Sequence, residues 1–189
     1  GNIHFPVTTD SKEAQAFIEQ GVGQLHGFWY LEAERSFRQA AALDEDCAMA
    51  YWGAAMAAYS KRPRSQGFIK EAAARIDSVS EREKLYIQAL EKYFSDKEKD
   101  KKKRAQNYLK DLESIVIKYP DDLEAKAFVA HRIWHNAREG TPISSYVSLN
   151  SLIEDILVVE PLHPAHHYMI HLWDYRHPEN AVQAAARCG

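Results

Sequence analysis

Between Ala14 and Tyr59 small and large residues recur at offsets that a lone amphipathic helix does not require. The stretch reads as three helices. Gly21, Ala33 and Ala40 are small enough for helix backbones to approach closely, and Phe17 and Phe37 are large enough to fill the gaps beside them. Short helical hairpins cannot hide their apolar sides alone, so neighbours must stack on them. The chain is therefore expected to be all-α and built from antiparallel helix pairs.

Prolines carry the register forward. Tyr108, Leu112 and Ile115 precede Pro120 at the spacing of Ala33, Phe37 and Ala40, and Leu149, Ile153 and Ile156 precede Pro161 in the same way. After Pro120 come Val129, Ala130 and Ile133, and after Pro161 come His167, Ile170, His171 and Asp174. This pattern resembles the tetratricopeptide (TPR) repeat, a helix-turn-helix unit of 34 residues, with Ala14 at its first position. Tyr108, Leu149 and His171 are large where the repeat wants a small residue, and Glu45 replaces the usual helix-ending proline, so the repeats are divergent. The resemblance implies a right-handed α-solenoid of antiparallel TPR-like helix pairs, residues 1–189 forming one domain.

Taken in order, Asn2 to Thr9 reads as an extended lead-in, and Thr9 or Asp10 is expected to cap a helix running to about Gly27. Helices are expected over Tyr30 to Leu43 and Cys47 to Ser60. Lys61 to Arg64 forms a basic breaker before a helix from about Gln66 to Ile76. Ser80 and Glu83 have capping-box spacing and start a helix to about Phe94. Asp96 to Arg104 is a charge run read as a solvated loop entering a helix that ends near Lys118. Later helices are expected over Leu123 to Arg138, Ser144 to Val159, Pro164 to Tyr175 and Pro178 to Arg187. The chain stops without a polar capping helix, from which a continuation into a longer parent protein is expected.

A net charge of −3 gives no default attraction to nucleic acid. No apolar run approaches the roughly 20 residues that span a bilayer. Cys47 and Cys188 are far apart and in no metal-like spacing, so the fold is not built on disulfides. No Ser-His-Asp arrangement, phosphate-cradling glycine loop or CxxC motif is identified, and the chain is read as a non-enzyme.

In TPR stacks the first helix of each pair lines a concave groove. Those positions fall on His26, then on Trp52, Met56 and Tyr59, then on His131, Trp134 and His135, and finally on Tyr168, Leu172, Tyr175 and Arg176. Such rings offer rigid apolar area with polar tips, which suits a protein or peptide partner. The carboxylate clamp for chaperone tails is not expected, because Gln15, Ile18, Val22, Met49, Trp52 and Met56 stand where its Lys, Asn and Arg belong.

The histidines support a competing reading. His131 with His135, and His167 with His171, are i,i+4 pairs on one helix face, a spacing at which two imidazoles share a Zn²⁺ or Cu²⁺ ion. Asp174 and His177 are the candidate further ligands beside His167 and His171. No HExxH glutamate is present to activate water, and the same imidazoles serve equally to bond neighbouring helices. Residues 163–175, HPAHHYMIHLWDY, resemble a segment HP..HY.IH..(D/E) of a group of large, often exported bacterial TPR proteins. Residues 5–41, 46–57 and 80–90 share that likeness. The resemblance implies export to the periplasm or beyond, but no activity. A spacer or homodimerisation unit is the third possibility.

Overall fold

The computed structural model describes residues 1–95 and 97–188, and among them forms ten α-helices, one 3-10 turn and no strand. Asp96, the first residue of the charge run, and Gly189 lie outside the described residues. The helices are α1 (Lys12–His26), α2 (Tyr30–Leu43), α3 (Ala48–Ala57), α4 (Arg62–Ala74), α5 (Glu81–Phe94), α6 (Lys101–Lys118), α7 (Leu123–Arg138), α8 (Tyr146–Val159), α9 (His166–Trp173) and α10 (Pro178–Ala185). None is long and apolar enough to cross a membrane.

Five of them start where a side-chain oxygen meets the first free amides. Ser11 accepts from Ala14, Asp100 from Lys102 and Lys103, Asp122 from Ala125 and Ser145 from Ser148. Ser80 and Glu83 close the expected capping box. Ser11, not Thr9 or Asp10, caps α1, because the Thr9 hydroxyl is engaged by Asp44 and by the Ser11 amide. The helix α4 begins at Arg62, earlier than expected, since Pro63 sits in its first turn, where no donor is lost. Conversely, α9 starts only at His166, after Pro164, because the Ala165 amide is taken by His163 Nδ1.

Burial sorts the helices into two layers. Four of the even-numbered helices each bury one stripe at i, i+4, i+7: Ala33, Phe37 and Ala40 in α2, Ser65, Ile69 and Ala72 in α4, Tyr108, Leu112 and Ile115 in α6 and Leu149, Ile153 and Ile156 in α8. The odd-numbered helices are buried more broadly, and almost all of α3 is core. Each helix packs on its successor, and α1 on α3, α3 on α5 and α7 on α9 touch directly. The odd helices thus form an inner layer backed by the even ones. The Phe37 ring is wedged between Gly21 of α1 and Gly53 of α3, and a Cβ on Gly21 would lie 2.7 Å from its Cζ. The small and large positions of the sequence meet here as a physical pair.

The lead-in crosses this inner layer. Phe5 is fully buried among Trp52, Tyr86 and Phe128, with the Arg82 guanidinium 4.5 Å from its ring centroid. The first hairpin also reaches the far end of the stack: His26, at the end of α1, bonds Glu124 of α7 and Tyr168 of α9. The layers therefore curl until their two ends touch.

Gly21→Ala is expected to lower the thermal midpoint although alanine favours a helix by about 1 kcal/mol over glycine, and Phe37→Leu in the same chain should restore part of the loss. Gly67→Ala, where an added Cβ meets nothing within 4 Å, should instead stabilise by about 0.5–1 kcal/mol. Thermal unfolding followed by circular dichroism checks both signs.

Candidate functional site

The closure is built on one carboxylate. Asp122 caps α7 and leaves Glu124 in the first turn, where the free amide ends favour negative charge. Glu124 Oε2 lies 2.6 Å from His26 Nε2, and Oε1 lies 3.1 Å from His163 Nε2. All three side chains are at most 1 % exposed. The Ala165 amide donates to His163 Nδ1 at 2.9 Å, so the ring proton sits on Nε2 and is donated to Glu124. On the other side His26 Nδ1 lies 2.5 Å from the Tyr168 hydroxyl. With Nε2–H given to the carboxylate, Nδ1 accepts from that phenol. Both ring nitrogens of His26 and His163 and both oxygens of Glu124 thus have partners.

Burial works on these groups in opposite senses. It lowers the pKa of His26 more strongly than the neighbouring Glu124 charge raises it. It also pushes the Glu124 carboxyl up, but the charge of His26 and the bonds from His163 and His26 outweigh it and hold the pKa down to about 2. The carboxylate therefore keeps its charge and the proton remains on imidazole. Burial raises the Tyr168 phenol well above its ordinary range, which keeps it a donor.

A second histidine group lies next to the first, around Phe28 in the turn between α1 and α2. His167 donates Nδ1–H to the His26 carbonyl at 2.9 Å, and His171 Nδ1 faces Asp174 Oδ2 at 3.3 Å. Their Nε2 atoms are 3.0 Å apart. On α7, His131 and His135 both turn Nε2 to the Tyr30 hydroxyl, at 3.3 and 3.2 Å. The Phe28 ring centroid lies 4.4 Å from His167, 5.5 Å from His131 and 5.0 Å from Trp134. Its φ of 61° is left-handed, which a residue with a Cβ adopts at a cost of about 1–2 kcal/mol. Burial lowers His131 well below the usual range, His135 to about 4 and His167 below its ordinary value.

The groove expected from the sequence is not open. His26, Trp52, Met56, Tyr168 and Leu172 are buried, because the stack curls onto its own first hairpin and the lead-in covers the inner face. Tyr59, His131, Trp134 and His135 are half-buried, while Tyr175 and Arg176 are exposed, Arg176 stacking on Tyr146. Met56, Tyr59, His131, His135 and Tyr168 do border one hollow, of about 30 Å³, enough for about one water. The four proposed metal ligands do not converge. His167 and His171 meet, but Asp174 backs His171 and His177 pairs with Glu179. The sole three-residue cluster with metal-ligand geometry among the described residues is His26, Glu124 and His163. Glu124, Phe5, Phe28 and Tyr30 escaped the sequence reading, since a first-turn acid and a lead-in aromatic each have ordinary local explanations.

Cys47 is buried, and burial raises its thiol to about 11, as suits a packing residue. No protein-family profile, curated protein or solved structure matches this chain.

Acid should unfold the protein in two stages. The lowered histidines, from an ordinary 6.5 to about 4 for His135, make the unfolded chain the better proton acceptor, so stability falls as pH drops from about 6.5 to 4. The Glu124 contribution is present above its ordinary 4.5 and is lost on the way down to about 2. Glu124→Gln should cost about 3 kcal/mol at pH 7 by leaving a buried N–H facing an amide, and should flatten the lower stage. Urea unfolding at a series of pH values measures both, and a pH-independent midpoint would contradict them.

Proposed function

We propose that the chain is a TPR-like helical-repeat module that takes an extended protein or peptide segment across its inner helices, its own residues 2–9 holding that place in this conformation. The mode in which the lead-in is held supports this reading. A segment without helix or ladder must find partners for its backbone elsewhere. Gln15 of α1 supplies two at once, accepting from the Val7 amide at 3.0 Å and donating to the Phe5 carbonyl at 2.9 Å. Arg82 of α5 donates to the Pro6 carbonyl at 3.0 Å, and Glu83 accepts from the Thr8 amide at 2.7 Å and its hydroxyl at 2.6 Å.

Backbone contacts of this kind grip any extended chain, and the socket of Trp52, Tyr86 and Phe128 selects an aromatic anchor. A partner for this face has the same chemistry: extended, with one aromatic side chain entering the socket. A tethered segment enjoys an effective concentration of about a millimolar, so the native chain resists competition and a weakened lead-in yields. A spacer has no use for such a socket.

A fluorescent peptide of residues 1–10 tests this. It should not bind the native chain, but should bind a Phe5→Ser variant saturably, with an affinity of about micromolar, worth roughly 8 kcal/mol. Circular dichroism establishes that the variant is folded, and a folded variant that ignores the peptide defeats the reading.

A further inference from the structure

The most compact set of metal-binding side chains, His26, Glu124 and His163, is closed to an ion by its own protons. A metal on His163 Nε2 requires the ring proton on Nδ1, where the Ala165 amide already donates. The pair on α9 has the opposite arrangement. The His26 carbonyl can only accept, which fixes the His167 proton on Nδ1, and the Asp174 carboxylate does the same for His171. When both rings are neutral, both Nε2 atoms carry lone pairs, and they face each other across 3.0 Å. Two lone pairs at that separation repel unless a cation lies between them.

We propose that His167 and His171 are the anchoring ligands of a transition-metal site of the Zn²⁺ or Cu²⁺ class, with the α1–α2 turn as its cover. Two bonds of about 2.1 Å meeting near a right angle span the observed separation. The oxygen behind each Nδ1 is the outer support that metal-binding imidazoles ordinarily have. About a third of the His171 side chain is exposed, which gives an ion a way in. The remaining Asp174 oxygen, Oδ1, is buried with no partner among the described residues. Phe28 stacks near both rings, 4.4 Å from His167 and 5.6 Å from His171, and its left-handed backbone marks the turn as the part that gives way.

The test uses tag-free protein stripped with a chelator and titrated with Zn²⁺ by calorimetry, with Co²⁺ absorption reporting nitrogen ligation. One ion per chain is expected. The double substitution His167→Gln and His171→Gln should weaken binding by about 100-fold, and Asp174→Asn, which leaves both ligands in place, by about 10-fold. Phe28→Gly removes the ring, suits the positive φ and should bind at least as tightly as the native chain. His4→Gln and His177→Gln should leave the affinity unchanged. If the double variant does not fold, Asp174→Asn carries the decision. Absence of stoichiometric binding, or binding that survives the double substitution and is lost with His163→Gln, overturns the proposal.

Discussion

A carboxylate with almost no access to water joins three parts of this chain that lie far apart in sequence. Glu124 takes one N–H from His26 at the end of α1 and one from His163 before α9, and stands itself at the start of α7. Leaving a carboxylate in such a place without partners costs several kcal/mol, so the three elements are held in register by the penalty for separating them. Hydrophobic stacking brings the helix pairs side by side but is indifferent to how far the stack curls. The buried network is directional, and it accepts only the curvature at which the last inner helix meets the first.

That curvature explains the state of the inner face. An open stack would present Trp52, Met56 and Tyr168 to solvent, whereas the closed one turns them inward and leaves a hollow of about 30 Å³ between the rings. The lead-in completes the enclosure. Phe5 fills the space that three inner helices leave between Trp52, Tyr86 and Phe128, and polar side chains of α1 and α5 replace the hydrogen bonds its backbone loses to burial. Core packing and ligand-like binding are the same contacts at this point.

Local features were legible in the sequence and summed ones were not. The Ser80–Glu83 capping box, the turns at Pro120 and Pro161 and the match of Gly21 to Phe37 depend on neighbours within one or two helices, and each reappears in the structure. The i, i+4, i+7 stripe even predicts which side of α6 and α8 is buried. Closure, by contrast, rests on contacts between residues far apart in sequence, and no local spacing records them. The pairing of Glu124 with His26 spans 98 residues, and an acid just after an Asp cap already has a sufficient local reason to be there. Trp52, Met56 and Tyr168 therefore read as groove positions in the sequence although the fold buries them. His167 and His171 were legible as a pair because one helix sets their spacing, but their further partners lay on other elements or faced elsewhere.

His26 connects the two histidine groups through different atoms. Its side chain bonds Glu124 and Tyr168, while its carbonyl fixes the proton of His167. The carbonyl is free for that task because α1 ends there, and the chain then passes through Gly27 into the left-handed Phe28. A shift of this turn therefore acts on several contacts together. It withdraws the Phe28 ring from His167 and His171, and through Tyr30 it loosens the hydroxyl on which His131 and His135 converge. The Glu124 network resists the same shift, since His26 cannot follow without leaving a charge buried and short of a partner. The strained turn is thus anchored at one end by a buried contact that only one geometry satisfies.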